Sequence, residues 1–571
     1  MGVSNVPAAQ SHNAPPPISA APRAQALADA AEWAPEPSVT HPGRRGNINP
    51  LALVSAAILA WAVWRYPLGS FWLGGALLAY VALLWRWPQA WLIAVPAMLP
   101  VLDLAPFTGR FFFDEFDCLI LATFAVAGWR RSSGRWVWNL SAAGWLMLAL
   151  FTLSVAIAAL IGAYPFPALD ANSFSNYYSS YNALRVAKGL LWLLLLLPLL
   201  RVELDLDSAR SQRLLTLGMT LGVLAGGISV LWERAAFTGI LNFSSDYRVV
   251  GMFSGMHTGG AYIEGYFATA LPFVAWWALS NRGALARWFG IGVFALGVYS
   301  LMVTFARGGY IAMVLGMAVL GVGVLLRRSD SPRTPQIIGS LALLLVLGGI
   351  AWPVVEGRFM QSRFATVQQD IHIRTAHWQE AVGMMDDGVP TQLFGMGLGR
   401  YPETYFWRNT SGVRPANYRF VTKNDNTWLE LSAGDSLYFE QIVAVRADQH
   451  YQLRFAARAH QNQADLTVPV CEKWMLYSSA CVWQTVHVGN TGGQWRNFVL
   501  DVDTAKFSQH PWYARRSVKL SFYNPQRGTL VDVDNVSLRD ESGHELVKNG
   551  SFSAGMDRWF FATDNHLPWH F

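Results

Sequence analysis

The sequence predicts a polytopic α-helical membrane protein that also carries a water-soluble β-sandwich. Three observations predict it. Only 14% of the 571 residues are charged, against about 25% in soluble proteins, and hydrophobic residues reach 53% with 26 Trp. The scarcity is uneven, with roughly 10% charged over residues 51–353 and about 20% from 354 onward. From residue 425, apolar and polar residues alternate in short runs between turn residues, the pattern of half-buried strands. A string of soluble domains is excluded.

Residues 1–46 are rich in Ala, Pro, Ser and Gln. They lack the basic start and apolar core of a signal peptide and predict a disordered tail. Arg44 and Arg45, just before the first apolar run, place that tail in the cytoplasm. A membrane domain over 47–353 follows, with apolar runs near 50–65, 67–86, 89–105, 116–129, 141–163, 184–200, 213–232, 259–280, 288–306, 309–326 and 336–353. At about 20 residues per span these predict about eleven crossings, the third and fourth short and tilted or re-entrant. The connections expected inside hold about fourteen basic residues and the opposite short loops about seven, a bias that puts everything after 353 on the outer face. The net charge of +6 is therefore orientation chemistry, and no nucleic-acid partner is expected.

The few outer cations carry more information. They are Arg185 and Lys188 in NALRVAKG, Arg248 beside His257 in DYRVVGMFSGMHTGGAYIEGY, and Arg307 in TFARGGY. A cation at membrane depth is costly unless it pairs, snorkels or faces a polar cavity. Snorkelling explains any one of them equally well; the set, on one face, predicts an anion-binding cavity. A lipid phosphate or diphosphate suits it, because guanidinium groups bind such anions through paired hydrogen bonds. His257 is read equally as a structural residue at a helix start. Asp114, Glu115 and Asp117 in FFFDEFD either bind an acceptor sugar or pair with Arg110, and pairing is the simpler reading.

Residues 354–424 read as a helical outer loop. Ile373, Ala376, Trp378, Ala381 and Met384 recur at helical intervals. GMGLGR at 395–400 imitates a nucleotide loop without a βαβ unit around it, and tight turns explain its glycines better. His372 and His377 lack a third ligand nearby, so no metal is expected. In the sandwich, 425–553, the strand-like runs are LYFEQIVAV, YQLRFAARA, LTVPVCEKWML, WQTVHVG, WRNFVLDVD, SVKLSFYN and LVDVDNVSLRD. Three Cys exclude a zinc framework or a disulfide-dense scaffold. Cys118 reads as a buried thiol. Cys471 and Cys481 flank a hairpin and are expected to form a disulfide, with two reduced, buried thiols as the alternative. Trp474, Trp483, Trp495 and Trp512 are candidates for stacking on sugar rings, although core packing explains most sandwich Trp and one or two exposed is the most expected. Asp532 and Asp534 read as strand-edge residues or as calcium ligands.

TFARGGY, then IRTAHWQEAV and LFGMGLGRY, behind about eleven apolar runs, resemble the O-antigen ligase and O-antigen polymerase superfamily of bacterial inner membranes. GRFFFDEFD, NALRVAKGLLW and DYRVVGMFSGMHTGGA extend the likeness over residues 50–410. VDVDNVSLRD and NGSFSAGMDRW resemble a galactose-binding-like jelly roll of the carbohydrate-binding-module type, inserted into a periplasmic loop that resumes over 554–571. Members of the superfamily continue into at least one more span. The resemblance therefore implies a GT-C-like body with a twelfth span or more in a complete chain, and either a chain truncated at Phe571, the more expected reading, or a member that departs from the pattern.

The resemblance further implies a metal-independent, cofactor-free glycosyltransferase of the inner membrane. It would polymerise or ligate undecaprenyl-diphosphate-linked glycan in O-antigen or exopolysaccharide biosynthesis. Its partners would be that donor, a glycan or lipid-A-core acceptor, the bilayer and other polysaccharide-assembly proteins. Arg307 matches the superfamily's membrane-edge Arg, and Arg374 the Arg opening the R-x-x-x-W helix; both would hold the diphosphate. Arg185, Lys188, Arg248 and His257 are the further donor-binding candidates. The superfamily's essential His maps onto His570 or His566, where an imidazole titrating near neutrality would take a proton from the acceptor hydroxyl; a pair of interfacial histidines is the plainer reading. The competing function is a non-enzymatic multispan sugar-binding or transport protein with a glycan-sensing ectodomain, but the repeats and broken helices usual in transporters are not evident.

Overall fold

In hydrocarbon an apolar chain satisfies its own backbone by forming a helix, and the computed structural model has a helix on each of the apolar runs. It describes residues 50–130, 140–253, 262–281, 283–326, 334–410, 412, 414–435 and 437–563. The helical body runs α1 (Pro50–Trp64), α2 (Ser70–Arg86), α3 (Trp91–Met98), α4 (Ala105–Thr108), α5 (Glu115–Arg130), α6 (Ala142–Ala163), α7 (Asn182–Leu206), α8 (Ser208–Phe237), α9 (Tyr262–Ser280), α10 (Ala284–Met302), α11 (Arg307–Leu326) and α12 (Thr334–Glu356). Among the described residues, α6, α7, α8, α10, α11 and residues 338–356 of α12 are long and apolar enough to cross a membrane. The short third run becomes the eight-residue α3, interrupted by Pro96. It lies on α8, where Cβ atoms at Gly218 and Gly222 would come within 2.6 Å of Pro96; small residues permit that approach.

Four short helices follow: α13 (Arg358–Ala365), α14 (Val367–Gly383), α15 (Val389–Phe394) and α16 (Tyr401–Arg408). The helical period read over 373–385 is present in α14, but no α14 residue is buried. Trp378 is 67% exposed, and of the five stripe residues only Met384, just past the end of α14, is buried.

The seven strand-like runs all form strands. Ten strands make two five-stranded sheets, ordered β1-β2-β9-β4-β7 and β10-β3-β8-β5-β6. The limits differ from 425–553. The sandwich begins with the hairpin of β1 (Tyr418–Lys423) and β2 (Asn426–Ser432), and closes with β10 (Phe560–Thr563) on β3 (Leu437–Val443). Between them lie β4 (His450–Ala459), β5 (Asp465–Trp474), β6 (Tyr477–His487), β7 (Arg496–Asp503), β8 (Ser517–Phe522) and β9 (Leu530–Asp540). Inward residues such as Phe439, Phe455, Leu520 and Leu538 build its core around the fully buried Trp559.

That core continues into the helical body through Ala105, Phe111 and Tyr177. The Phe111 ring lies 4.9 Å from Tyr177 and 5.6 Å from Phe561. Asn172 covers the edge of β1, its amide donating to the Phe420 carbonyl at 2.9 Å and accepting from the Phe420 N–H at 2.7 Å. An edge strand left bare would be open to pairing with another chain. Cys471 and Cys481, directly paired across β5 and β6, form the expected disulfide, and Cys118 is a buried free thiol.

Candidate functional site

The TFARGGY turn joins α10 to α11 and starts the site. Phe305 takes a left-handed backbone (φ 53°), which costs a non-glycine residue roughly 1–2 kcal/mol. Its fully buried ring, edge-on to Phe359 at 4.9 Å, offsets that. The turn leaves Arg307 as the first residue of α11. Gly309 lets α9 approach, since a Cβ there would stand 3.0 Å from Glu264 Cβ.

Arg307 is held from α13 and α14. Its Nη1 donates to the Arg363 carbonyl at 2.7 Å, and its Nη2 pairs with the Asp370 carboxylate. Arg363 pairs with the same Asp370 oxygen at 3.4 Å, while its own Nε is buried without a hydrogen-bond partner. Arg248 enters from the loop before α9, donating from Nε to the Thr304 carbonyl at 2.7 Å. Burial, then the neighbouring Arg363, lower its pKa. Glu264 lies within electrostatic reach of Arg248 and Arg374, and Arg374 is exposed one helical turn beyond Asp370 on α14. Four guanidinium groups thus face two carboxylates. Like charges gathered around so few counter-charges suit an anion with several oxygens.

The structure therefore brings Arg248, Arg307 and Arg374 together and adds Arg363 and Asp370, which sequence reasoning missed. A signal existed: Asp370 and Arg374 are four apart on one helix face.

Arg185 and Lys188 have other company. Lys188 Nζ lies 2.8 Å from Asp114 and 2.7 Å from Asp117, and it also donates to the Phe112 carbonyl at 3.1 Å. Trp192 Nε1 donates to the other Asp117 oxygen at 2.6 Å. Two carboxylates already hold this one ammonium. The expected pairing of these acids with Arg110 is corrected by that geometry: Arg110 faces Asp557 at 3.8 Å and the Ala62 carbonyl at 3.3 Å, while Glu115 accepts from the Tyr66 hydroxyl at 2.9 Å. Arg185 lies over the Tyr177 ring at 4.5 Å and donates to Asn182 at 2.8 Å. His257, His566 and His570 lie outside the described residues.

GMGLGR is a structural joint. Leu398 N–H donates to the Ala158 carbonyl at 2.7 Å, and the Gly399 carbonyl accepts from Asn182 at 2.9 Å. Gly397 (φ 101°) has no room for a Cβ, which would fall 2.5 Å from the Gly162 nitrogen. The glycines pin the outer loop to the ends of α6 and α7.

The four Trp candidates scatter. Trp474 stacks on Phe237 of α8 at 5.6 Å, between sandwich and helices. Trp495 packs on Arg458 at 4.3 Å; Trp428 lies on the same guanidinium at 4.5 Å. Trp483 and Trp512 are 55% and 81% exposed. Asp532 pairs with Arg458 at 2.8 Å and Asp534 accepts from Asn426 at 2.9 Å, so both carboxylates already have partners.

A 160 Å³ cavity lies where the sandwich meets the helices, between Phe107, Trp232 and Phe253 on one side and Glu440 and Lys473 on the other. Behind it, Lys473 and Lys519 share the single carboxylate of Glu440, Lys519 at 2.7 Å. Burial pushes Lys473 down to about 8.

Residues 292–434 match the family model described as O-antigen ligase. The match spans α10 to β2 and so includes Arg307, Arg363, Asp370, Arg374 and GMGLGR. It places this part of the chain in the O-antigen ligase superfamily and supports a glycan ligase or polymerase role in a multi-pass membrane protein. No curated protein matches the chain significantly.

Proposed function

We infer from that O-antigen ligase segment that the chain is a metal-independent glycosyltransferase of the bacterial inner membrane. It polymerises or ligates undecaprenyl-diphosphate-linked glycan on the periplasmic face. The observation that carries this reading is the guanidinium cluster of Arg248, Arg307, Arg363 and Arg374 around Asp370 and Glu264.

An acceptor hydroxyl attacks the anomeric carbon of the donor glycan. The bond to the diphosphate oxygen breaks, and the electron pair leaves with undecaprenyl diphosphate. Guanidinium groups stabilise the charge developing on that leaving group, and donors held in place act most strongly where charge develops. A general base takes the hydroxyl proton; His566 and His570 are the candidates. Direct displacement inverts the anomeric centre. A polymerase and a lipid-A-core ligase would differ here in acceptor.

The test gives purified protein lipid-linked glycan and follows undecaprenyl diphosphate release together with product length. Arg307→Ala and Arg374→Ala should abolish both while membrane insertion persists. Unchanged release in both variants overturns the assignment, and no release by the wild type marks a sugar-binding protein instead.

A further inference from the structure

The β-sandwich reaches the loop that carries Arg248 with the β5–β6 hairpin. β5 and β6 meet at a tip of Met475 and Leu476, with the Cys471–Cys481 disulfide bridging the strands just behind it. Trp474, the last residue of β5, lies flat on Phe237 at 5.6 Å with the planes 7° apart. Its other neighbours include Arg516, whose guanidinium is 5.0 Å from the ring and is paired with Glu472. Tyr477, the first residue of β6, packs its ring 4.9 Å from Tyr247.

Tyr247 is the residue before Arg248. Its hydroxyl donates to Glu233 of α8 at 2.6 Å and lies 3.4 Å from the Trp474 carbonyl. Glu233, fully buried, also accepts from the N–H groups of Val250 at 3.0 Å and Gly251 at 2.7 Å. The segment 247–251 is thus fastened to α8 by one carboxylate and pressed by the hairpin tip. Between these fastenings Arg248 reaches the Thr304 carbonyl, three residues before Arg307.

We propose that the β5–β6 hairpin is a clamp, with Trp474 and Tyr477 as positioning residues that hold Arg248 beside Arg307 for diphosphate binding. The inserted sandwich then works as part of the donor site, apart from any sugar it binds. The inference rests on the diphosphate reading given under the proposed function. Its physical basis is population: a loop fastened at one side samples other conformations, and affinity falls with the fraction of molecules in the competent one. The disulfide ties β6, the edge strand of its sheet, to β5 just behind the tip.

The experiment measures inorganic pyrophosphate binding to the full chain in detergent. Trp474→Ala should weaken binding about two- to tenfold, the span an aromatic pair is worth. Trp474→Phe, which keeps a ring on Phe237, should restore most of it. In an Arg248→Ala background, Trp474→Ala should add nothing. Reducing the disulfide with dithiothreitol should mimic Trp474→Ala in the wild type, which supplies a second route if that variant folds poorly. Wild-type affinity in Trp474→Ala and after reduction overturns the clamp, as does an equal loss with and without Arg248. Arg307→Ala serves as the control: if it too binds like the wild type, the diphosphate reading fails, whereas loss there with none in Trp474→Ala sinks the clamp alone.

Discussion

Lys188 and Arg307 stand near the starts of α7 and α11, and both read from sequence as outer cations available to a phosphate. Their surroundings separate them. Lys188 is one ammonium between Asp114 and Asp117, a group with a negative surplus. Arg307 belongs to four guanidinium groups sharing Asp370 and Glu264, a group with a positive surplus of two. A cation at membrane depth is thus an incomplete description of a site. What decides between a structural ion pair and an anion receptor is the local charge balance, and the carboxylates that set it come from elsewhere in the chain.

The largest expected effect tests the receptor half of that contrast. Arg307→Ala should lower glycan transfer about 10²–10³-fold, the loss typical when one donor to a developing charge is removed; initial rates with lipid-linked glycan measure it. The ion-pair half predicts a different kind of damage. Lys188→Ala leaves one buried and one part-buried carboxylate without their cation and should cost about 3 kcal/mol of stability, read as an earlier unfolding transition in detergent. If Lys188→Ala instead abolishes transfer at unchanged stability, the contrast breaks.

A subtler prediction sharpens the receptor. Asp370 occupies oxygen positions between Arg307 and Arg363 that a phosphate would compete for. Asp370→Asn should therefore tighten pyrophosphate binding by up to about fivefold, since even a solvent-screened charge pair is worth about 0.2–1 kcal/mol and this one is only part-exposed. Weaker binding would make Asp370 an organiser of the arginines.

A separate effect concerns the sandwich's own buried charges. Lys473, with a folded-state pKa of about 8, sits below its unfolded value, so the unfolded chain binds more protons between the two. Stability should therefore rise as pH climbs from 8 toward 10, by on the order of 1 kcal/mol per unit at most. Denaturant midpoints across that window should show the rise, and Lys473→Met should remove it.

Much of the fold was legible because hydropathy and alternation are local signals. Every apolar run carries a helix, and the seven strand-like runs are strands. The omissions are instructive. Starting the sandwich at 425 cuts through the turn of the β1–β2 hairpin, whose Asn424 and Asp425 take φ of 51° and 61°. That Asn-Asp pair was the hairpin signal. β10, the four residues FFAT, has no alternation to read and becomes a strand through pairing with β3. At the site, the resemblance pointed to Arg307 and Arg374, and outer-face position to Arg248. Arg363 and Asp370 escaped because their meeting with Arg307 depends on how α13 and α14 fold back. For the same reason nearby Arg110 is the partner the sequence suggests for Asp114 and Asp117, when Lys188 is 71–74 residues away.

The seam at Tyr418 has one more implication. The ring of this first sandwich residue lies 5.2 Å from that of Phe561 in the last strand, so the module's entrance and exit adjoin. A domain whose ends meet imposes little stretch on the chain flanking it, and loop closure costs only slowly more as loops lengthen. Removing Tyr418–Phe561 would therefore stretch little flanking chain, but it would uncover Ala105, Phe111 and Tyr177, which share the sandwich's core, so the cost of excision lies in lost apolar cover and not in closing the gap.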